Sequence, residues 1–318
     1  MKILTGIVGL ALLSIVFGAR GMGAPPEGPA PAAAEAVPPA PEALPTVAVP
    51  SGSAADVVVP ELIKLLADAR GEMRLWAADT LGKLGPEAKE AVPALSGLVK
   101  DPEPVIRQAA ADSLGRIGPA AEKAAPALAT LLRDQTAAVR QAASAALIQI
   151  GPAAKAAVPE ATALLDDSCW DVRRRAADVL GGIGKPAQEA ASALTKRLAD
   201  SDPAVRIAAA TALTTVLPKQ DAAVPLVAGL LRDPHPGVRA LAADLLGKIG
   251  PAAKQSIPAL TETLGDCEYR VRIAAARALG EMGTAASGAY PAVTALLRDN
   301  IDDVRLEALV AMVQIKGR

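Results

Sequence analysis

Eight arginines recur at a constant interval of 33 residues: Arg74, Arg107, Arg140, Arg173, Arg206, Arg239, Arg272 and Arg305. Six positions before each stands an aspartate: Asp68, Asp101, Asp134, Asp167, Asp200, Asp233, Asp266 and Asp299. Three positions after each stands an alanine, Ala77 through Ala308, and seven after it a leucine, replaced once by Met312. A period of this length without insertion means that one supersecondary unit is stacked along a line. It overrides the expectation of about two globular domains that 318 residues alone would suggest.

Each unit reads as two helices. In the second unit Val92, Leu95, Leu98 and Val99 form a helical stripe, which Asp101-Pro102 breaks. Ile106, Ala110, Leu114 and Ile117 then recur at three- and four-residue spacing until Gly118-Pro119 ends the second helix. Neither helix can bury its stripe alone, so neighbouring units must stack into one continuous core. The composition agrees: aromatics make up 2% of the chain, and alanine and leucine dominate, as in helices packed through small side chains. The expectation is an all-α solenoid of about eight two-helix repeats over residues 52–316.

The wording DxxxxVRxxAAxxLGxIG resembles HEAT repeats, and in particular the HEAT-like repeats of phycobilin lyases. The first-helix proline of that pattern is matched by Pro60, Pro93, Pro126, Pro159, Pro225, Pro258 and Pro291, with Ser192 departing. The aspartate and the Val-Arg pair are matched in every unit, with Met73 and Ile106 standing for valine. The resemblance implies surfaces for partners more than it implies a reaction. It also implies a structural role for the sixteen periodic charges. Each aspartate is expected to cap the second helix by accepting from backbone N–H groups, and each arginine to reach the neighbouring unit's aspartate through a forked pair. Asp79 with Lys83, Asp112 with Arg116 and Asp244 with Lys248 are read as i,i+4 pairs on an exposed face.

Two segments precede the array. MKILTGIVGLALLSIVFGARGMGA places Lys2 before an uncharged, mostly apolar run from Ile3 to Phe17, followed by Ala19, Gly21 and Gly23. The run is shorter than the roughly 20 apolar residues of a spanning helix, so residues 1–23 read as a signal peptide, with an uncleaved anchor as the alternative. Cleavage is expected after Gly21 or Gly23, and the chain is expected in the periplasm or secreted. Residues 24–51 are rich in proline and alanine, and through residue 50 they hold nine prolines and no basic residue. They read as a disordered, partly stiff tether, on the order of 80 Å long if fully extended.

Chemistry is sparse. The chain has 33 basic and 34 acidic residues, and 31 of each sign lie after residue 50, without the basic excess of a general nucleic-acid binder. His235 is the one histidine and lies between two prolines, so it reads as an exposed turn residue. Neither the ligand set of a di-iron or zinc centre nor a haem, phosphate-loop or GxSxG motif is present. No cofactor and no catalysis are expected; the alternative is a lyase-type enzyme or chaperone related to phycobilin lyases, retained inside the cell. Cys169 and Cys267 lie three units apart, roughly 25–30 Å at ordinary helix spacing, which is too far for a disulfide within one chain. Free thiols, or pairing with another chain, are expected.

Departures from the repeat are the candidate contact residues. Trp170 occupies a turn position held elsewhere by Gly71, Pro104, Ala137, Pro203, Pro236 and Asp302, and Arg174 and Arg175 follow it. The seventh unit answers with Tyr269 and Arg270. Exposed Trp and Arg are frequent interface anchors. In the last helix, Leu306, Leu309, Val310 and Val313 make the outer face apolar where a terminal repeat should be polar. A second copy or a different protein is expected to dock there. The overall expectation is an exported scaffold for a protein or peptide partner, touching the membrane only if the N-terminal segment is retained.

Overall fold

The structure is a computed structural model that describes residues 55–317; the expected signal peptide and the whole of the expected linker lie in residues 1–54, outside the described residues. Sixteen α-helices and short 3₁₀ segments follow one another, with no strand among the described residues. The first helices of the eight units are α1 (Ala55–Leu65), α3 (Val92–Gly97), α5 (Ala125–Thr130), α7 (Val158–Leu164), α9 (Ala191–Arg197), α11 (Val224–Gly229), α13 (Ile257–Thr263) and α15 (Tyr290–Ala295). The second helices are α2 (Gly71–Leu84), α4 (Pro104–Ile117), α6 (Ala137–Ile150), α8 (Trp170–Ile183), α10 (Pro203–Val216), α12 (Pro236–Ile249), α14 (Tyr269–Glu281) and α16 (Asp302–Lys316).

The first helix of a unit is not one straight rod. A 3₁₀ segment such as Gly85–Ala91 leads into α3 across Ala88, whose backbone (φ −88°, ψ 18°) leaves the helical basin. From the second unit on, the recurring proline then falls in the first turn of the α-helix, where its missing N–H removes no intrahelical bond, whereas Pro60 lies inside α1. Second helices are longer and stop at a glycine whose φ lies between 58° and 72°, a conformation disfavoured for side chains with a Cβ. The fifth unit is the exception: α10 runs into Leu217, with φ −67° and ψ 142°, ahead of Pro218.

Stacking follows the predicted stripes. Ile106, Ala110, Leu114 and Ile117 of α4 are buried, as are Val92, Leu95, Leu98 and Val99 of the helix before it. Consecutive second helices lie against each other along the array. One column of the repeat controls their spacing, the position eight residues after the periodic arginine. It is glycine at Gly82, Gly115, Gly181, Gly247 and Gly280, where an added Cβ would come within about 3 Å of the next helix. Ile148 and Thr214 break the column, and the joints after them, α6 with α8 and α10 with α12, pack less extensively than the others. At the second of these joints the core itself divides, one cluster running from Val59 to Val216 and the other from Ala210 to Ile315.

Candidate interaction surface

The periodic charges form a ladder along the edge where first helices turn into second. Arg107 donates through Nε and Nη2 to the Asp134 carboxylate at 2.7 and 3.0 Å, and through Nη1 to the Asp101 carbonyl at 2.8 Å. The same fork joins Arg74 to Asp101, Arg173 to Asp200, Arg206 to Asp233, Arg239 to Asp266 and Arg272 to Asp299. Each aspartate does not cap the helix as expected. It accepts from the backbone N–H two residues on, as Asp101 does from Glu103 and Asp266 from Glu268, closing the turn ahead of the helix. Capping by a side chain is seen at Asp202, which accepts from Ala204, and at His235, whose Nδ1 accepts from Gly237.

Electrostatics follow this geometry. Hydrogen bonds from Arg107 hold the Asp134 carboxyl below its ordinary range, and those from Arg272 do the same for Asp299. At Asp200, Asp233 and Asp266, desolvation pushes the carboxyl up, and the arginine hydrogen bonds, the backbone N–H bond and the arginine charge together more than offset it, so each ends lowered. On the second helices the balance reverses. Burial raises Asp112, Asp178 and Asp244, with nearby basic groups only partly opposing it.

The ladder changes partner at one joint. Arg140 reaches Asp171 at 3.0 Å instead of Asp167, whose carboxylate is taken by Arg133 at 3.0 Å. Ile148, standing in the glycine column, presses its side chain against Gly182 of α8. There α8 meets α6 at Gly182 rather than, as at the other close joints, at the position six after the periodic arginine, and the acid of its first turn comes within reach. Of the three expected i,i+4 pairs, Asp79–Lys83 closes at 2.8 Å. Arg116 instead turns to Asp79 of the preceding unit, and Asp244 faces Arg277 of the following one.

Of the sequence candidates, Trp170 is the first residue of α8 rather than part of the turn, and it is 48% exposed. Arg174 and Arg175 do not extend freely beside it. Both bond to Asp171, at 3.1 and 3.0 Å, and Arg174 also bonds to Asp178 at 2.9 Å. Tyr269 packs against the second core cluster, and Arg270 folds over its ring, 5.7 Å from the centroid. Three units separate this pair from Trp170, so the two do not form one patch. Cys169 and Cys267 are both free and exposed. Leu306, Leu309, Val310 and Val313 of α16 are 63%, 50%, 44% and 51% exposed.

Three further exposed apolar residues, Val57, Val105 and Ile148, are not among the sequence candidates. The signal for Ile148 was present in the glycine column. An open cleft of about 450 Å³ lies between the sixth and seventh units, under the Arg232–Glu262 pair. No cluster that could hold a metal ion occurs among the described residues, and none of their helices is long and apolar enough to cross a membrane.

Two-helix units stacked along an edge ladder define an α-solenoid, a class whose repeats present an extended surface. The family model described as HEAT repeats matches residues 59–149, 158–228 and 223–313. The chain belongs to the HEAT-repeat family. No curated protein matches it in sequence. Among solved structures, importin beta is similar with a TM-score of 0.61 at 15% identity, over 82% of this chain and 41% of that one. Escherichia coli YibA is similar with a TM-score of 0.51 at 21% identity, over 86% and 100%. The CpcE–CpcF phycocyanin lyase complex of Nostoc sp. PCC7120 is similar with a TM-score of 0.44 at 23% identity, over 87% and 100%.

Proposed function

We propose that the chain is an exported interaction scaffold that binds a protein or peptide partner along the edge of its turns and second helices, without catalysing a reaction. The observation that carries this reading is Trp170. A tryptophan half open to solvent stands where five other units have proline, glycine or alanine, one has Asp302 and one Tyr269, on an edge whose charges are already satisfied internally. Large rigid aromatics in such settings anchor interfaces. Arg174 and Arg175 contribute by bracing the first turn of α8 through Asp171, and the balanced charge argues against nucleic acid as the partner. HEAT-repeat solenoids generally bind protein partners, which agrees with this reading.

Crosslinking and affinity purification from the native envelope, with wild type against Trp170→Ala, test the surface. A partner retained in full by Trp170→Ala removes the edge from the site. Intact-mass measurement of the mature chain tests export: cleavage after Gly21 or Gly23 is expected. An intact Met1 on a cytoplasmic chain refutes export and reopens the lyase-type reading.

A further inference from the structure

The exposed face of α16 is the face by which every other unit holds its successor. Leu309 occupies the column of Ala78, whose carbonyl accepts from Ser113 of the next unit at 2.7 Å, and Val313 occupies the column of Gly82, which abuts the same serine. Leu306 and Val310 flank them on that side of the helix. Arg305 keeps its bond to the Asp299 carbonyl but forks to no aspartate of a following unit among the described residues. It pairs with Asp302 of its own helix and remains 39% exposed.

The other end of the array presents the opposite half of the joint. The columns that face a preceding unit are those of Glu307, which pairs with Arg277, and of Ala311, which abuts Gly280. In the first unit those columns hold Trp76 and Thr80, both only partly buried. Glu72, in the first turn of α2, is exposed and occupies the column of Asp171.

One joint inside the array shows how these ends fit. Between the third and fourth units a β-branched residue, Ile148, stands in the glycine column, and the arginine of the third unit pairs with the first-turn acid, Asp171. Val313 and Glu72 reproduce both features, one at each end of the described array, while Lys83 stands in the column of Gly182, so Val313 meets a side chain there and the two helices sit farther apart than α6 and α8 do. We propose that α16 docks head to tail onto α2 of a second copy of this chain. Leu306, Leu309, Val310 and Val313 cover Trp76, and Arg305 exchanges Asp302 for Glu72 of that copy. The contact is heterologous, so it propagates rather than closing on a dimer.

Sedimentation velocity of the full 318-residue chain over a concentration series tests this. The weight-average mass is expected to rise past two chains without a plateau. Leu306→Glu with Val310→Glu should abolish the rise, and both positions are exposed, so the fold is spared. Arg305→Glu and Glu72→Arg should each weaken association about 10-fold or more. An equimolar mixture of those two variants should restore it, because each tail then faces a head of opposite charge. A plateau at two chains, unmoved by Glu72→Arg, means α16 pairs with its own copy and overturns the proposal. So does a monomer at every concentration, or association indifferent to Leu306→Glu with Val310→Glu, which would place the contact in the N-terminal apolar run. Glu72 lies on the exposed surface of α2, so its variant keeps the test decisive even if Arg305→Glu loosens the last turn.

Discussion

Asp233→Ala should uncouple the array at its fifth joint. Arg206 donates to Asp233 through Nε at 2.8 Å and Nη2 at 2.7 Å, and to the carbonyls of Asp200 and Ser201 through Nη1 at 2.8 and 3.2 Å. Arg206 and Asp233 are 8% and 9% exposed, so both members of this pair are buried. Removing the carboxylate leaves a buried guanidinium without a counter-charge. Breaking a pair of this kind costs about 3–5 kcal/mol, and the two remaining carbonyl bonds argue for about 3. The loss falls on the joint where Thr214 interrupts the glycine column and the core divides. In a linear array, a weakened joint lets the two sides unfold separately.

The chain supplies its own probes for this, because both tryptophans, Trp76 and Trp170, lie before the joint. Far-UV circular dichroism follows all eight units during urea unfolding, whereas tryptophan fluorescence follows the first five. In Asp233→Ala, roughly three-eighths of the helical signal should disappear before fluorescence changes. The exposed Arg232–Glu262 pair is the control, and Arg232→Ala should leave both curves in place. Superimposed dichroism and fluorescence curves in Asp233→Ala, with an unshifted midpoint, would refute the claim that the ladder holds the joint.

Acid should weaken the fold in a defined direction. The carboxyls of Asp134, Asp200, Asp233, Asp266 and Asp299 are lowered in the folded chain, so their contribution is complete above the unfolded value of about 3.9 and is lost as pH falls through their folded values. Urea midpoints measured downward from pH 7 should hold until that range and then drop. Asp244 has the opposite sign: burial raises its carboxyl and its Oδ1 finds no hydrogen bond, so Asp244→Asn should raise the melting temperature at pH 7. Gly115→Ala should cost about 1–3 kcal/mol, because its Cβ would lie 2.9 Å from the Ala146 Cα. Gly229→Ala, at the end of a helix with nothing within 4 Å, should be neutral or stabilising by about 0.5–1 kcal/mol, as read by urea denaturation.

The parts of the fold legible in the sequence were those encoded one unit at a time. The period, the two helices, the buried stripes and the partner column of the ladder all depend on residues that repeat, and eight instances made each pattern plain. The parts that escaped depend on how two units meet. Arg140 was expected on Asp167, but it bonds to Asp171, because Ile148 moves α8 relative to α6. Asp112 and Asp244 were paired along their own helices, but neighbouring units lie close enough to compete for the same charges. Arg174 and Arg175 read as free positive charge because sequence does not show that Asp171 sits beneath them. The exposure of α16 was legible for the opposite reason: its apolar columns could be compared with seven others.

A solenoid of identical units would have the same separation at every joint. Here five glycines let five joints close backbone to backbone, while Ile148 and Thr214 put side chains between helices at the other two. The consequences differ with what surrounds each side chain. Ile148 meets Gly182, a second glycine that gives it room, and the ladder adjusts by one helical turn to Asp171. At Thr214 no glycine compensates, α10 ends without a left-handed residue, and the Arg206–Asp233 pair is left to bridge two separate cores. Irregularity is therefore concentrated at two joints, and the one that carries the compensating features also carries Trp170 on its edge. Val313 places a third side chain in the same column, at the face of α16 that remains open. The column that regulates spacing inside the array thus also determines what its free end can accept: a surface of side chains with an acid in its first turn, rather than a backbone in close approach.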